Sequence, residues 1–333
     1  VLELLTEIRL KQVEARLGPS GVKQWIKDAL DWFRPDSVVF SRYSGPHSSA
    51  IVDWAHEHSA PVIYHIDDDL LAVPRSLGER KYEYHNTPDR LATVRSLIDA
   101  ADLVYASTEE LKERLLGYSP GIPVMAGAIN ASGSVMRKAR SGKAQVLGYM
   151  ASADHLPNLE MVLPAIVRLL DRHPHLRFEL FGSIPVPSAL AHFGERVRSL
   201  EPVADYEQFL DTLAKREWDI GICPLAATDF NRTKSNNKWV EYTSLGIAVV
   251  ASAGMVYEEC CADGWGLIVS DLDGWSSALE SLIDDDADRV AMVGRAQRKL
   301  ETRYGLAAHR RQILEMLSLA DEFAQGKLIK EYA

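Results

Sequence analysis

Cysteine is scarce in this chain. Only Cys223, Cys260 and Cys261 occur in 333 residues, with no CxxC spacing. That spacing suggests neither a zinc nor a thioredoxin-like site, and the adjacent pair Cys260-Cys261 is read as reduced thiols at a helix end, in a reducing compartment. Glycine (21) and proline (15) are not enriched, which excludes long disordered tracts. No run of about 18 apolar residues could span a bilayer, and no signal-peptide pattern occurs. Basic excess is missing too. The formal net charge is -10, a poor basis for non-specific nucleic-acid binding, which needs clustered Lys and Arg. There is no GxxxxGK[ST] loop, GxGxxG fingerprint, GxSxG elbow or HExxH helix. Those absences argue against a P-loop ATPase, an NAD dehydrogenase, an α/β-hydrolase and a zinc protease. The chain opens on Val1 and not on methionine, which leaves room for sequence upstream.

What is present is ordinary globular material, 47% hydrophobic and 25% charged, in a length that suits two α/β units. Residues 1–33 read as two helices, with Leu2, Leu5, Ile8 and Leu10 at roughly helical spacing before a break at Gly18-Pro19-Ser20-Gly21. The second helix carries Trp25, Ile26, Ala29, Leu30 and Phe33 on one face, and Lys23, Lys27 and Arg34 elsewhere. Packing on a sheet is favoured over a membrane-surface role, since Asp28 and Asp31 dilute its positive face. Short apolar runs without alternation then predict parallel strands at 37–41, 61–66, 102–106 and 122–126, with helices at 46–58, 87–100 and 108–116. His56 and His58 are read as surface residues on the first of these helices. Residues 127–142, rich in Gly, Ala and Ser, suit a linker. A second series follows. Strands are expected at 145–150, 176–182, 218–225, 247–252 and 266–270, and helices near 157–171, 206–215, 236–245 and 273–284. Two further helices lie within 286–323, parted at Tyr304-Gly305. Doubly wound sheets bind ligands beyond the carboxyl ends of their strands.

The most informative stretch is WDIGICPLAATDFNRTKSNNKWVEYTSLGIAVVAS, residues 218–252. A strand ends near Pro224, and a polar loop with Asn231, Arg232 and Lys234 leads into a helix that Ser235 or Asn236 can cap. A helix start beside Arg232, Lys234 and Lys238 suits a diphosphate. Glu241, one turn further in, can accept hydrogen bonds from a ribose diol. An i,i+3 surface pair of Lys238 with Glu241 explains the same spacing equally well.

FNRTKSNNKWVEYTSLGIAVVAS resembles the donor half of GT-B glycosyltransferases, particularly the large family 4 group. The resemblance rests on a helical Glu five residues before a Gly and a following strand, here Glu241, Gly246 and IAVVAS. It implies two Rossmann-like domains facing each other across a cleft, with a short N-terminal acceptor-side domain at 1–140. A donor-binding domain at 141–304 follows, then a last helix at 305–333 that crosses back onto the first domain. It implies transfer of a hexosyl or deoxyhexosyl group from a nucleotide sugar to a glycan or glycolipid acceptor with retention. No metal or other cofactor is expected. Glu241 takes the ribose in this scheme. The family's second Glu, eight positions earlier, is Thr233 here, so Lys234 is expected to take a phosphate.

LGYMASADHLPNLEMVLPAI (147–166) is similar to the family's first donor-domain strand and loop, which makes His155 and Asn158 donor-binding candidates beside capping or packing roles. DGWGLIVSDLDGWSSALESLIDD (263–285) resembles its final strand and helix. PVIYHIDDDL (61–70) aligns Asp67 with a family His near the transferred sugar, so Asp67 or Asp68 would orient the acceptor hydroxyl or accept its proton. Two other readings of Asp67-Asp68-Asp69 stand beside this one, a divalent-cation site of GT-A type and a cap on the next turn. Arg42 and His47, flanking Ser44-Gly45-Pro46, are further acceptor-side candidates. The competing readings are a non-catalytic nucleotide-sugar-binding domain of a larger protein and a nucleotide-sugar epimerase of the same shape. A cytoplasmic location is expected, with at most weak contact at the inner face of a membrane.

Overall fold

The computed structural model describes residues 5–129, 136–254 and 256–326, so Leu2 and the centre of the 127–142 linker lie outside the described residues. These residues form two compact units. Unit 1 comprises the chain up to Ile129, Thr233–Ser235 and the residues from Arg311 onward; unit 2 comprises the remainder.

Unit 1 begins with α1 (Glu7–Phe33), started by the Thr6 side chain, which accepts from the Arg9 backbone N–H. Gly18, at φ 72 and ψ 173, splits it where the sequence places a break, and Pro19 opens the second segment. Leu10, Val22, Ile26 and Leu30 form its buried stripe, so the helix packs on the unit's core. The strands β1 (Val38–Ser41), β2 (Val62–Ile66), β3 (Leu103–Ala106) and β4 (Val124–Ala126) pair in parallel in sequential order. Between them run α2 (Ser48–Glu57), α3 (Glu79–His85), α4 (Pro88–Ala100) and α5 (Glu109–Tyr118).

Sequential order has a physical consequence. Right-handed crossovers that always step the same way put their helices on one face of the sheet. Val62, Tyr64, Ile66, Val104 and Ala106 accordingly pack with Ile51, Leu97 and Leu111 on that face. The other face would be left apolar and wet. It is covered by α13 (Leu306–Ala324), whose Met316 and Ala320 pack on Ile63, Leu103 and Tyr105. Gln312 of α13 pins the strand end by donating to the Ala128 carbonyl at 2.8 Å and accepting from its N–H at 3.2 Å. The sheet of unit 1 is thus wound in one direction and closed by a returning helix.

Unit 2 is wound in both directions. Its strands β5 (Val146–Met150), β6 (Arg177–Phe181), β7 (Val197–Leu200), β8 (Ile220–Cys223), β9 (Ala248–Ser252) and β10 (Leu267–Val269) run in the order β10-β9-β8-β5-β6-β7, all parallel. This is the dinucleotide-fold order, with a switch point between β5 and β8. The helices are α6 (Leu156–Arg172), α7 (Tyr206–Lys215), α8 (Asp229–Arg232), α9 (Asn237–Ser244), α10 (Tyr257–Cys261), α11 (Leu272–Asp284) and α12 (Asp286–Arg303). Leu159, Val162, Ala165, Ile166, Leu169 and Leu170 of α6 recur at helical spacing and bury against Phe178, Leu180 and Ile283. The sequence reading lacks β7. Its four residues are intermediate or exposed, so this edge strand carries no apolar run to announce it. The cysteines are free and buried, Cys260 and Cys261 at the end of α10. Among the described residues no helix is long and apolar enough to cross a membrane.

Candidate functional site

At the carboxyl ends of β5 and β6 in unit 2 lies a cavity of about 350 Å³. Its floor is chain that leaves the strands: Met150, Ala151 and Ser152 after β5, and Phe181, Gly182 and Ser183 after β6. Gly182 (φ 122) brings its backbone against Ala151, where a Cβ would collide with the Ala151 carbonyl. Pro202, Val203 and Phe209 form one wall, and Asn237, Lys238 and Glu241 of α9 form another. Phe209 stacks on Phe181 with ring centroids 5.2 Å apart and planes 22° from parallel.

Several local features hold α9 here. The Tyr242 hydroxyl accepts from the Met150 N–H at 2.9 Å, tying the helix to the end of β5. Gly246, at φ 77, ends the α9 turn, and a Cβ there would stand 2.6 Å from the Lys138 carbonyl carbon. That is the physical reason for a glycine five residues after Glu241. Asn236 is the N-cap residue but makes no side-chain cap; its amide instead donates to the Tyr304 hydroxyl at 2.8 Å. Neither Ser235 nor Asn236 therefore caps α9 as the sequence suggests. Glu241 is buried, 9% exposed, and accepts from the Tyr206 hydroxyl at 3.3 Å. The Asn237 side-chain oxygen is buried without a hydrogen-bond partner.

The remaining sequence candidates of unit 2 surround this wall. Asn158 accepts the Ala226 N–H at 2.9 Å, and Asn231 donates to the Ala226 carbonyl at 2.9 Å. The two amides thereby hold the loop after β8 from both sides of one residue. His155 Nδ1 meets the Asn158 amide nitrogen at 2.9 Å. Arg232 donates to the Gly254 carbonyl at 3.4 Å. Of the three cations read from the sequence, only Lys238 lines the cavity.

Lys234 belongs with unit 1. Its ammonium donates to Asp68 Oδ1 at 3.0 Å. Arg42, left-handed at φ 51, donates to Asp67 Oδ2 at 2.9 Å and to Asp68 Oδ2 at 3.4 Å. Arg42, Asp67, Asp68 and Lys234 thus form one alternating charge cluster at the carboxyl end of β2. Burial pushes the Asp67 carboxyl up, Arg42 pulls it down, and Asp68 pushes it up again, for a net rise. Asp67 Oδ1 is buried without a partner. Two residues before it, His65 is lowered by burial and by Arg42; its Nδ1 lies 3.0 Å from the Ser41 hydroxyl and its Nε2 is unpartnered.

Asp69 turns elsewhere, accepting from the Tyr118 hydroxyl at 2.7 Å and the Leu71 N–H at 3.2 Å, so the three aspartates do not converge. Thr233 is buried, and its carbonyl accepts from the Thr108 hydroxyl at 3.2 Å. His47 joins Glu14 of α1 at 3.0 Å, not the charge cluster. Phe181, Gly182, Pro202, Val203, Phe209 and Asn237 also line the cavity and are not among the sequence candidates. Phe181 and Gly182 end an apolar strand and follow from the strand-end rule; the others carried no signal.

The parallel sheets and the cavity at the carboxyl ends of the strands define a two-unit α/β protein of Rossmann-like design. Its fold is that of the GT-B glycosyltransferases. Residues 164–315 match a family model described as glycosyl transferase-like. The chain is similar to HepE from Anabaena, solved with UDP, over 91% of this chain and 84% of that one, at 15% identity and a TM-score of 0.62. It is also similar to a UDP-forming α,α-trehalose-phosphate synthase from Burkholderia xenovorans, over 89% and 78% of the two chains, at 15% identity and a TM-score of 0.60. A variant of S. aureus TarM, solved with UDP, α-GlcNAc-glycerol and fondaparinux, matches over 89% of this chain and 59% of its own, at 10% identity and a TM-score of 0.64. No curated protein sequence matches the chain.

Proposed function

We propose that the chain is a glycosyltransferase that takes a sugar from a nucleoside-diphosphate donor held in the cavity at the ends of β5 and β6 in unit 2. The observation that carries this reading is the cavity itself, with a carboxylate (Glu241), a cation (Lys238) and a helix start on one wall and stacked rings opposite. Glu241 accepts from the ribose diol, and Lys238 with the first amides of α9 faces the diphosphate. Charge that builds on the leaving diphosphate meets fixed donors that need no reorganisation. Neighbours of the same fold were solved with UDP or UDP-glucose, which supports a nucleotide ligand.

Unit 1 supplies the acceptor side in this reading. Asp67, with one oxygen unpartnered and its carboxyl raised by burial, orients or deprotonates the acceptor hydroxyl. Lys234 and Asp68 complete the catalytic group, and Arg232, Asn231, His155 and Asn158 support the donor side. Retention, a glycan or glycolipid acceptor, independence of metal and a cytoplasmic site of action belong to the same proposal. A non-catalytic nucleotide-sugar-binding role is favoured by one observation, the engagement of Lys234 by Asp68.

The test is a thermal-shift screen with UDP, ADP, GDP and CDP, followed by transfer assays with the matching sugar nucleotides. Ligands bound to the native state raise its melting temperature with affinity and concentration. A concentration-dependent shift with one base and transfer to a glycan is the expected result. No shift with any nucleotide would overturn the reading. Binding without transfer would leave the non-catalytic alternative, and isomerised donor would identify an epimerase.

A further inference from the structure

Asn158, Asn231 and Asn236 are each committed to the fold. Asn158 accepts from the Ala226 N–H at 2.9 Å, Asn231 donates to the Ala226 carbonyl at 2.9 Å, and Asn236 donates to the Tyr304 hydroxyl at 2.8 Å. Asn237 differs from them. It is the first residue of α9 and lines the cavity, yet its Oδ1 is buried without a hydrogen-bond partner. A buried carbonyl in that position costs stability, and an apolar side chain of like shape carries no such cost. Packing alone therefore does not explain an amide here. With Oδ1 turned into the wall, the NH2 group is the end of the amide that remains for the cavity. Asn237 also precedes Glu241 by four residues, which puts both on one face of α9 with Asn237 about 6 Å nearer the helix start.

We propose that the Asn237 amide donates to the ribose 3′-oxygen of the nucleotide and completes the diol contact that Glu241 begins. The inference rests on the donor-site reading above. A carboxylate only accepts, so Glu241 takes the protons of the two hydroxyls and leaves their oxygens in want of a donor. An amide NH2 in the same row of the helix supplies one. Position selects the hydroxyl. In the donor-site reading the start of α9 faces the diphosphate, and Glu241, one turn in, faces the ribose. Asn237 stands on the diphosphate side of Glu241. The 3′-carbon adjoins the 4′-carbon, which bears the arm to the phosphates, so the 3′-oxygen is the hydroxyl oxygen on that side. Asn237 is thus a specificity residue for an intact ribose at its 3′ position. A neutral hydrogen bond of this kind corresponds to about threefold to tenfold in affinity.

The experiment measures dissociation constants by isothermal titration calorimetry. The probe is whichever of UDP, ADP and GDP binds the unaltered chain most tightly, together with its 2′-deoxy and 3′-deoxy forms. Asn237→Leu keeps the bulk and removes the amide. Asn237→Ala removes both and guards against a clash from the leucine branch. Both variants should bind the ribonucleotide and its 2′-deoxy form about threefold to tenfold more weakly than the unaltered chain does. Neither should lose affinity for the 3′-deoxy form, which has no oxygen for the amide to reach. Asn237→Leu buries no unpaired carbonyl, so it should melt no lower than the unaltered chain. Unchanged ribonucleotide binding in both variants overturns the inference and leaves the donor site standing. An equal loss with the 3′-deoxy form also overturns it, because the contact would then lie elsewhere on the nucleotide, such as the diphosphate. A melting temperature that falls by more than about 5 °C in both variants overturns it as well, since the amide would then be structural. If the unaltered chain binds none of the three nucleotides, the donor-site reading falls and this inference with it.

Discussion

Replacing Glu241 with alanine tests the nucleoside end of the proposed donor site. Glu241 is the one acidic residue among those lining the cavity, and it is 9% exposed, so hydrogen bonds to it form with little competition from bulk water. A hydrogen bond to a charged acceptor contributes about 1.5–3 kcal/mol net, and in the proposed donor site the two ribose hydroxyls share one carboxylate. Taking that range for the pair, Kd for the bound nucleoside diphosphate should rise roughly tenfold to about 150-fold. The fold should tolerate the change. Glu241 accepts from the Tyr206 hydroxyl over a long 3.3 Å, and removing a buried carboxylate also removes its desolvation cost. A melting temperature within about 3 °C of the parent is expected. Isothermal titration calorimetry measures the affinity and differential scanning fluorimetry checks the fold. A Kd within twofold of the parent in a protein of unchanged melting temperature would refute the role assigned to Glu241. A collapse of the melting temperature would instead show that the carboxylate is structural.

Other predictions concern the scaffold that sets the site. Gly246→Ala places a side chain at φ 77 beside the Lys138 carbonyl and should cost at least about 2 kcal/mol in guanidinium unfolding; a loss below about 0.5 kcal/mol would remove the explanation of that glycine. Glu179 is buried and accepts from Arg216 Nε at 2.9 Å and from Trp218 Nε1 at 2.8 Å, so Glu179→Ala should destabilise unit 2 by about 3–5 kcal/mol in the same assay. Glu7 is raised by burial but pulled down more strongly by Arg90 and Lys11, from 4.5 to about 2. Its contribution to stability is therefore complete above about pH 4.5 and is lost as the pH falls towards 2. Urea melts across that window should lose this part of their pH slope in Glu7→Gln, and an unchanged slope would show that the Glu7–Arg90 pair is not the cause.

The chain's local physics made the elements readable. Short apolar runs named nine of the strands, and Gly18-Pro19 named the break in α1. The motif around Glu241 and Gly246 located the α9 wall, because helix spacing and a glycine at positive φ are properties of a few consecutive residues. Lys238 and Glu241, three residues apart in sequence, were placed on one wall by helix geometry alone. The neighbours Lys234 and Arg232 diverge, towards Asp68 and the Gly254 carbonyl, because loop side chains take whichever partner the tertiary fold offers.

The same distinction separates the two sheets. Alternating strands and helices determined that both units are parallel α/β. Tertiary packing decided that unit 1 orders its strands sequentially and needs α13 on its second face, where Met316 and Ala320 meet Leu103 and Tyr105. Strand order depends on which edge each crossover joins, and no local residue pattern records that choice. The aromatic wall is the clearest case. Phe181 ends one strand, Tyr206 and Phe209 begin a later helix, and Glu241 lies further on still. Only the stacking of α7 over the end of β6 turns these separated residues into one surface.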